Sequence, residues 1–442
     1  MNLIGPTGQA ERINSLDALR GFALLGILIM NVLVFGLYLP AGNNPTIAGG
    51  ASGLDMACWA LARILALGKM RCLFSMVFGA GVILLTSRAE ERSEAGVADI
   101  YYRRNLWLLV FGIAHAFLLF WGDILYTYAL CALVLFPFRK LPAKRLLIVG
   151  GLIIVLQTGW SGVGVYRLVE MRSLASAGEA AAKTGKARTA EQTGAKKELD
   201  VLRKRRSPSP QDLEKDAAPW RGNPWEVIGA RAEAVAPWHA LAYYDQTNLD
   251  AWSMMFIGMG LFKLGLFSAK RSYRLYGWIA AIGFMFGIGV NSYTVWLALK
   301  TNFDPVISRL TRVIFDLERL AMALAYMALL MIVCKAGVLQ WLTRPLASVG
   351  QMALSNYIFQ SVVCSFVFTG YGFGLYGRLE RYQLYYVVAG CWAASLIASP
   401  IWLRHYWFGP LEWCWRSLTY WKKQPMRNRQ PKKTTAATAT AT

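Results

Sequence analysis

The 442-residue chain is 56% hydrophobic and 16% charged, with a mean hydropathy of +0.36, whereas soluble domains carry roughly 25% charged residues. A water-soluble core does not absorb that excess, so a soluble globular protein is excluded. The net charge of +22 falls in loops and tail, not in a basic stripe interleaved with aromatics, so nucleic acid is not an expected partner.

The first apolar run, Phe22 to Leu39, has Arg12, Asp17 and Arg20 at its start and no A-x-A cleavage site, so it reads as a retained first helix behind a short segment, 1–14. Spans of roughly 20 residues are then expected near 15–39, 66–87, 105–121, 123–138, 145–167, 249–268, 274–298, 316–334, 346–369 and 383–403. The expected fold is an all-α, polytopic integral membrane helical bundle of about ten transmembrane helices. Arg88, Arg92, Arg103 and Arg104, then Arg139, Lys140, Lys144 and Arg145, then Lys270, Arg271 and Arg274 mark cytoplasmic linkers. Loop 40–54 and the junction Trp121-Gly122-Asp123 carry no Lys or Arg and belong to the opposite side, which puts both termini in the cytoplasm.

The chain divides into membrane helices over 15–167, a polar segment over 168–236, and further membrane helices with an interfacial helix over 237–420. Segment 168–236 is rich in Ala, Lys, Glu and Arg and is expected to be an extracytoplasmic loop or loose helical insert. The basic tail, 421–442, runs into Thr/Ala repeats and is expected to be disordered. The seven cysteines (58, 72, 131, 334, 364, 391, 414) are odd in number and form no C-x-x-C pair, so they read as packing residues.

Ionisable and polar groups within spans cost on the order of 2.5–3.5 kcal/mol and mark candidate sites. On the first helix, Asp17, Arg20 and Asn31 share one face, since Arg20 to Asn31 is within about 20° of whole turns; an i,i+3 anchor pair is the plain alternative for the first two. His115 lies inside the third span, with Asp123 at the following junction placed to orient its imidazole. Lys69 and Arg71 open the second span, either as snorkelling residues or as neighbours of His115, and Ser75 with Gly79-Ala80-Gly81 suggests close helix packing. Asn356 and Gln360 stand one turn apart on the ninth span. Glu412 and Arg416, at i,i+4, fit an interfacial helix. His239 and His405 sit at span ends, so no metal site is expected.

These segments resemble the YeiB family of bacterial polytopic membrane proteins, classed as a domain of unknown function. The likeness runs over Arg12 to Ile27 with Met30-Asn31, Leu73-Phe74-Ser75 with Phe78-Gly79-Ala80-Gly81, and Phe111-Gly112-Ile113-Ala114-His115 with Gly122-Asp123-Ile124-Leu125. It continues through Gly350-Gln351-Met352-Ala353-Leu354-Ser355-Asn356-Tyr357 and Phe408-Gly409-Pro410-Leu411-Glu412-Trp413 to Arg416-Ser417-Leu418-Thr419-Tyr420. The resemblance implies a multi-pass protein of the bacterial cytoplasmic (inner) membrane, surrounded by lipid bilayer. The Leu16-Asp17-Ala18-Leu19-Arg20-Gly21 opening is also similar to that of heparan-α-glucosaminide N-acetyltransferases and other transmembrane acyltransferases. That wider likeness implies acyl transfer from a cytoplasmic acyl-CoA to a small-molecule or glycan acceptor, with an intramembrane histidine, here His115, at its centre.

Two functions are therefore open. In an acyltransferase, His115 acts as base or is itself acylated, Asp123 orients it, Arg20 meets donor phosphates and Asn31 lines the path. In a transporter or exporter of a small molecule or lipid, Asp17, Arg20 and His115 form a polar relay. The repeat symmetry of transporters is not found in the sequence.

Overall fold

A computed structural model describes residues 13–92, 96–239 and 241–428, so residues 1–12 and the tail beyond 428 lie outside the described residues. The first half runs α1 (Asn14–Gly36), α2 (Gly53–Leu65), α3 (Lys69–Arg92), α4 (Val97–Leu118), α5 (Leu125–Leu135), α6 (Ala143–Lys183), α7 (Ala190–Arg206), α8 (Pro210–Arg221) and α9 (Pro224–His239). The second half runs α10 (Leu241–Lys263), α11 (Tyr273–Lys300), α12 (Pro305–Leu310), α13 (Phe315–Ala336), α14 (Gln340–Gln351), α15 (Ala353–Phe368), α16 (Arg381–His405) and α17 (Pro410–Tyr420). The protein is an all-α polytopic membrane bundle, with no strand among the described residues.

Six helical stretches among the described residues are long and apolar enough to cross a bilayer: α1, the α2–α3 stretch, α6, α11, α13 and α16. The outer members leave large apolar side chains exposed, including Leu152 and Leu156 on α6, Ile282 and Met285 on α11, and Ile397 on α16. Water would not tolerate such faces, and acyl chains cover them. By contrast α1 is buried nearly all round and stands at the centre of the bundle.

Small residues set the closest crossings. A Cβ on Gly21 would overlap the Leu346 carbonyl oxygen, and one on Gly350 would overlap that of Asp17, so α1 and α14 meet backbone to backbone. Gly79 and Gly258 play the same part between α3 and α10, against Met255 and Met76. Of the expected Gly79-Ala80-Gly81 packing run, Gly79 and Ala80 pack, whereas Gly81 opens onto a cavity.

Four expectations are corrected. The span expected over 346–369 is two helices, α14 and α15, parted at Met352. A helix start inside a bundle leaves backbone N–H groups without partners, and here the Glu412 carboxylate accepts from Leu354 N (2.7 Å), Ser355 N (3.1 Å) and Ser355 Oγ (2.5 Å). Glu412 thus caps α15, a role that its i,i+4 spacing to Arg416 does not reveal. Residues 53–65, which lie outside the expected spans and begin within the expected loop 40–54, form α2.

Segment 168–236 is not loose. At 1.5 Å per residue, the 41-residue α6 is roughly 60 Å long, about twice the hydrocarbon thickness. Its projecting half pairs with α7 through Ala175, Ala195 and Leu199. The helix α8 lays Leu213 and Ala217 on the bundle core beside Phe120, Phe368 and Tyr376, and Trp220 stacks on Tyr376 at 5.8 Å. A few apolar residues at helical spacing suffice because the core they join already exists. The described start of the tail also folds back, with Tyr406 bridged to Arg427 and Trp413 Nε1 donating to Gln424 O at 2.8 Å.

Candidate functional site

Helix α4 ends one turn after His115, and Asp123 precedes α5. Gly112 lies against the backbone of Tyr126, where any side chain would overlap it, so the two helices close tightly around the imidazole. Asp123 Oδ1 lies 2.7 Å from His115 Nδ1, and Oδ2 accepts the Tyr126 backbone N–H at 2.7 Å. The other ring nitrogen, Nε2, lies 2.9 Å from Ser361 Oγ on α15. All three side chains are buried: His115 is 2% exposed, Asp123 9% and Ser361 3%.

The connecting turn is enclosed from outside the bundle. Ser365 Oγ donates to Leu119 O at 2.8 Å, and the buried Arg231 of α9 donates to Leu118 O and to Tyr371 Oη (2.9 Å). These bonds satisfy carbonyls that a broken helix would leave bare in a dry interior. The segment expected as a loop therefore covers the His115–Asp123 turn.

On the other side of the imidazole stands Tyr357, with ring centroids 4.9 Å apart. Tyr357 and Ile124 help to line a cavity of about 240 Å³. Its lining is mixed, apolar at Phe74, Phe78, Leu108 and Leu125 and charged at Asp17, Arg20, Arg88, Arg104, Arg416 and Glu412. Asp17 and Arg20 form the expected pair at 2.7 Å, and Arg20 also reaches Gly350 O at 3.4 Å. His115 and Asp123 do not themselves line the cavity; Tyr357 touches both spaces.

The other expected residues are distributed as follows. Asn31 is half-buried and outside the cavity lining, so the shared face of Asp17, Arg20 and Asn31 does not bring the third to the first two. Ser75 Oγ bonds at 2.6 Å to the hydroxyl of Tyr128, which lines the cavity, whereas Ser75 itself does not. Asn356 donates to Met352 O and Ser399 Oγ, each at 3.0 Å, and fastens the α14–α15 break to α16. Gln360 is 2% exposed, and its Nε2 has no hydrogen-bond partner among the described residues.

Lys69 and Arg71 belong to a separate buried network. The fully buried Lys69 ammonium meets Asn291 Oδ1 (2.7 Å), Arg63 O (2.9 Å) and Glu318 (3.3 Å). Arg71 pairs with Asp250 at 2.6 Å, and Asp250 also binds Arg319, which holds Asp316 at 2.8 Å. The network closes its charges in pairs, as a dry interior requires. Sequence reasoning missed Asp250, Asn291, Glu318 and Arg319; Glu318 and Arg319 fall within the span expected over 316–334. It also missed Ser361, which carries no hydropathy signal, and Arg88, Arg104 and Arg416 as cavity residues. Among the described residues no three His, Cys, Asp or Glu side chains gather as a metal site.

Residues 261–422 match the family described as Protein of unknown function (DUF418). Over 421 residues the chain is 30% identical to the uncharacterized protein YeiB of Escherichia coli, covering 92% of this chain and 96% of that one. It belongs to the YeiB family. The uncharacterized protein YxaH of Bacillus subtilis is 29% identical over 434 residues, covering 96% and 98% of the two chains. An uncharacterized 39.9 kDa protein in the amylase 3′ region of Bacillus acidopullulyticus is 26% identical over 434 residues, covering 95% and 97%. The two YeiB-family alignments with Escherichia coli and Bacillus subtilis each span over nine-tenths of both chains, so they take in far more than the segment that the DUF418 description covers.

Proposed function

We propose that this YeiB-family protein is a membrane-embedded acyltransferase that moves an acyl group from a cytoplasmic acyl-CoA to a small-molecule or glycan acceptor at the opposite face. The carrying observation is a cavity lined by Arg20, Arg88, Arg104 and Arg416 and also by Tyr357, which stands against His115. A space of about 240 Å³ is below the roughly 300–1,000 Å³ of sites that enclose drug-sized ligands. Only the acyl-thioester arm of the donor enters it. The phosphates stay at Arg20, Arg88, Arg104 and Arg416, whose guanidinium forks suit phosphate oxygens.

His115 is then the base that takes the acceptor proton through Nε2. Asp123 is a positioning residue: a carboxylate only accepts, so it holds the imidazole proton on Nδ1 and leaves the Nε2 lone pair free. The reading places both termini in the cytoplasm, residues 168–236 outside, and the protein in the cytoplasmic (inner) membrane of a bacterium. The test is incubation of purified protein with radiolabelled acetyl-CoA or palmitoyl-CoA and a broad acceptor panel. Labelled product supports the reading, and the absence of both binding and turnover with intact protein would sink it.

The buried network of Lys69, Glu318, Arg71, Asp250 and Arg319 favours a second reading, transport of a small molecule or lipid, because paired charges inside membranes also serve ion-coupled transporters. Flux across proteoliposomes that responds to pH, with no acylated product, separates it from the first.

A further inference from the structure

We infer that Ser361 is a nucleophile that carries the acyl group as a covalent ester between donor and acceptor. The inference rests on the acyl-transfer reading above and changes its course from direct transfer to two half-reactions.

Counting protons supports it. A neutral imidazole has one N–H, and the Asp123 carboxylate beside Nδ1 can only accept. The proton therefore sits on Nδ1, and the bare Nε2, 2.9 Å from Ser361 Oγ, can only accept from that hydroxyl. When Nε2 is protonated, Ser361 Oγ accepts from it and turns its own hydrogen to Tyr357 O, 3.2 Å away. Each proton state of the imidazole thus has a bonded state of the hydroxyl, as a proton shuttle between the two requires. Imidazole, carboxylate and hydroxyl come from α4, the α4–α5 turn and α15, and stand in hydrogen-bond sequence with the base oriented by a third group, the arrangement that activates a serine.

A second observation points to a missing acceptor nearby. The residue before Ser361 is Gln360, whose buried amide Nε2 donates to nothing among the described residues. A buried donor left unsatisfied is destabilising, and an acyl-serine would bring new oxygen acceptors into this part of α15. Tyr357, one turn before Ser361, lines the cavity and stands against the imidazole, so its displacement admits the thioester carbonyl to Ser361.

The chemistry balances without an added reagent. Ser361 Oγ bonds to the thioester carbonyl carbon and its proton passes to His115 Nε2. The carbon–sulfur bond breaks and the departing CoA sulfur takes that proton, leaving acyl-Ser361 and free CoA thiol. The acceptor hydroxyl or amine then gives its proton to Nε2 and attacks the ester carbon, and Ser361 leaves with the proton returned from His115.

The experiment incubates wild-type protein with radiolabelled acetyl-CoA or palmitoyl-CoA without acceptor, quenches in acid and maps the adduct by peptide mass spectrometry. The expected result is one acyl group on the Ser361 peptide. Ser361→Ala, which removes a single oxygen, should abolish the adduct and lower transfer at least about 100-fold. Ser361→Cys should restore an adduct, now a thioester labile to hydroxylamine at neutral pH. Transfer by Ser361→Ala at the wild-type rate, or an adduct on His115, would overturn the serine nucleophile and leave acyl transfer by this protein standing. If wild-type protein transfers nothing, the acyl-transfer reading itself fails, a result distinct from either.

Discussion

Asp123 divides its carboxylate between two tasks: Oδ1 holds His115 Nδ1 at 2.7 Å, and Oδ2 holds the Tyr126 N–H at 2.7 Å. Orientation of the imidazole and the start of α5 therefore depend on one side chain. An amide at this position offers only one oxygen, so it can accept only one of the two bonds, and its NH2 can meet Nδ1 only if the imidazole proton moves to Nε2.

For that reason His115→Ala and Asp123→Asn should differ in size. Loss of a general base typically lowers the rate roughly 10²–10⁴-fold, and His115→Ala is expected in that range while remaining inserted and monodisperse. Asp123→Asn should lose less. Rates with labelled acyl-CoA, beside size-exclusion profiles, check the order; equal activity of His115→Ala and wild type would remove the imidazole from the chemistry.

Two similar substitutions should differ in effect, one at the α1–α14 crossing and one on α3 beside the cavity. Gly350→Ala drives a methyl into the Asp17 carbonyl oxygen and must part the helices, at a cost of about 1–3 kcal/mol. Gly81→Ala meets nothing within 4 Å and enters the cavity, so its stability should match wild type. Thermal unfolding in detergent measures both. A stable Gly350→Ala protein would show that the crossing has room.

Buried charges should be far more sensitive to losing one partner than both. Glu318→Ala leaves the fully buried Lys69 ammonium without its counter-ion, a change that costs about 3–5 kcal/mol at buried pairs. The double variant Lys69→Met with Glu318→Leu should recover much of that loss. A double variant as unstable as the single one would mean that the pair does not govern stability here.

Sidedness is testable at Ser207, exposed after α7. In a background freed of the seven native cysteines, Ser207→Cys should react with an impermeant maleimide added outside intact cells, and a cysteine replacing Lys140 should not. Labelling of Lys140→Cys alone would invert the orientation.

Hydropathy is a local property, and what it governs was legible in the chain. The need to bury roughly 20 apolar residues per crossing showed where α1, α3, α6, α11, α13 and α16 run. The short spacing from His115 to Asp123 showed which two side chains a tight helical turn would bring together, and i,i+3 spacing showed the Asp17–Arg20 pair. Tertiary structure decided which polar groups from distant helices meet, because that depends on how each helix is rotated and which backbone presses against it. Ser361 reaches His115 across 246 positions, and Asp250 reaches Arg319 across 69. A serine disturbs no apolar run, and charges at a span's start look like an interface until a neighbouring helix buries them. Likewise the break at Met352 exists because Glu412, from a helix that follows in sequence, supplies the oxygens that a new helix start demands.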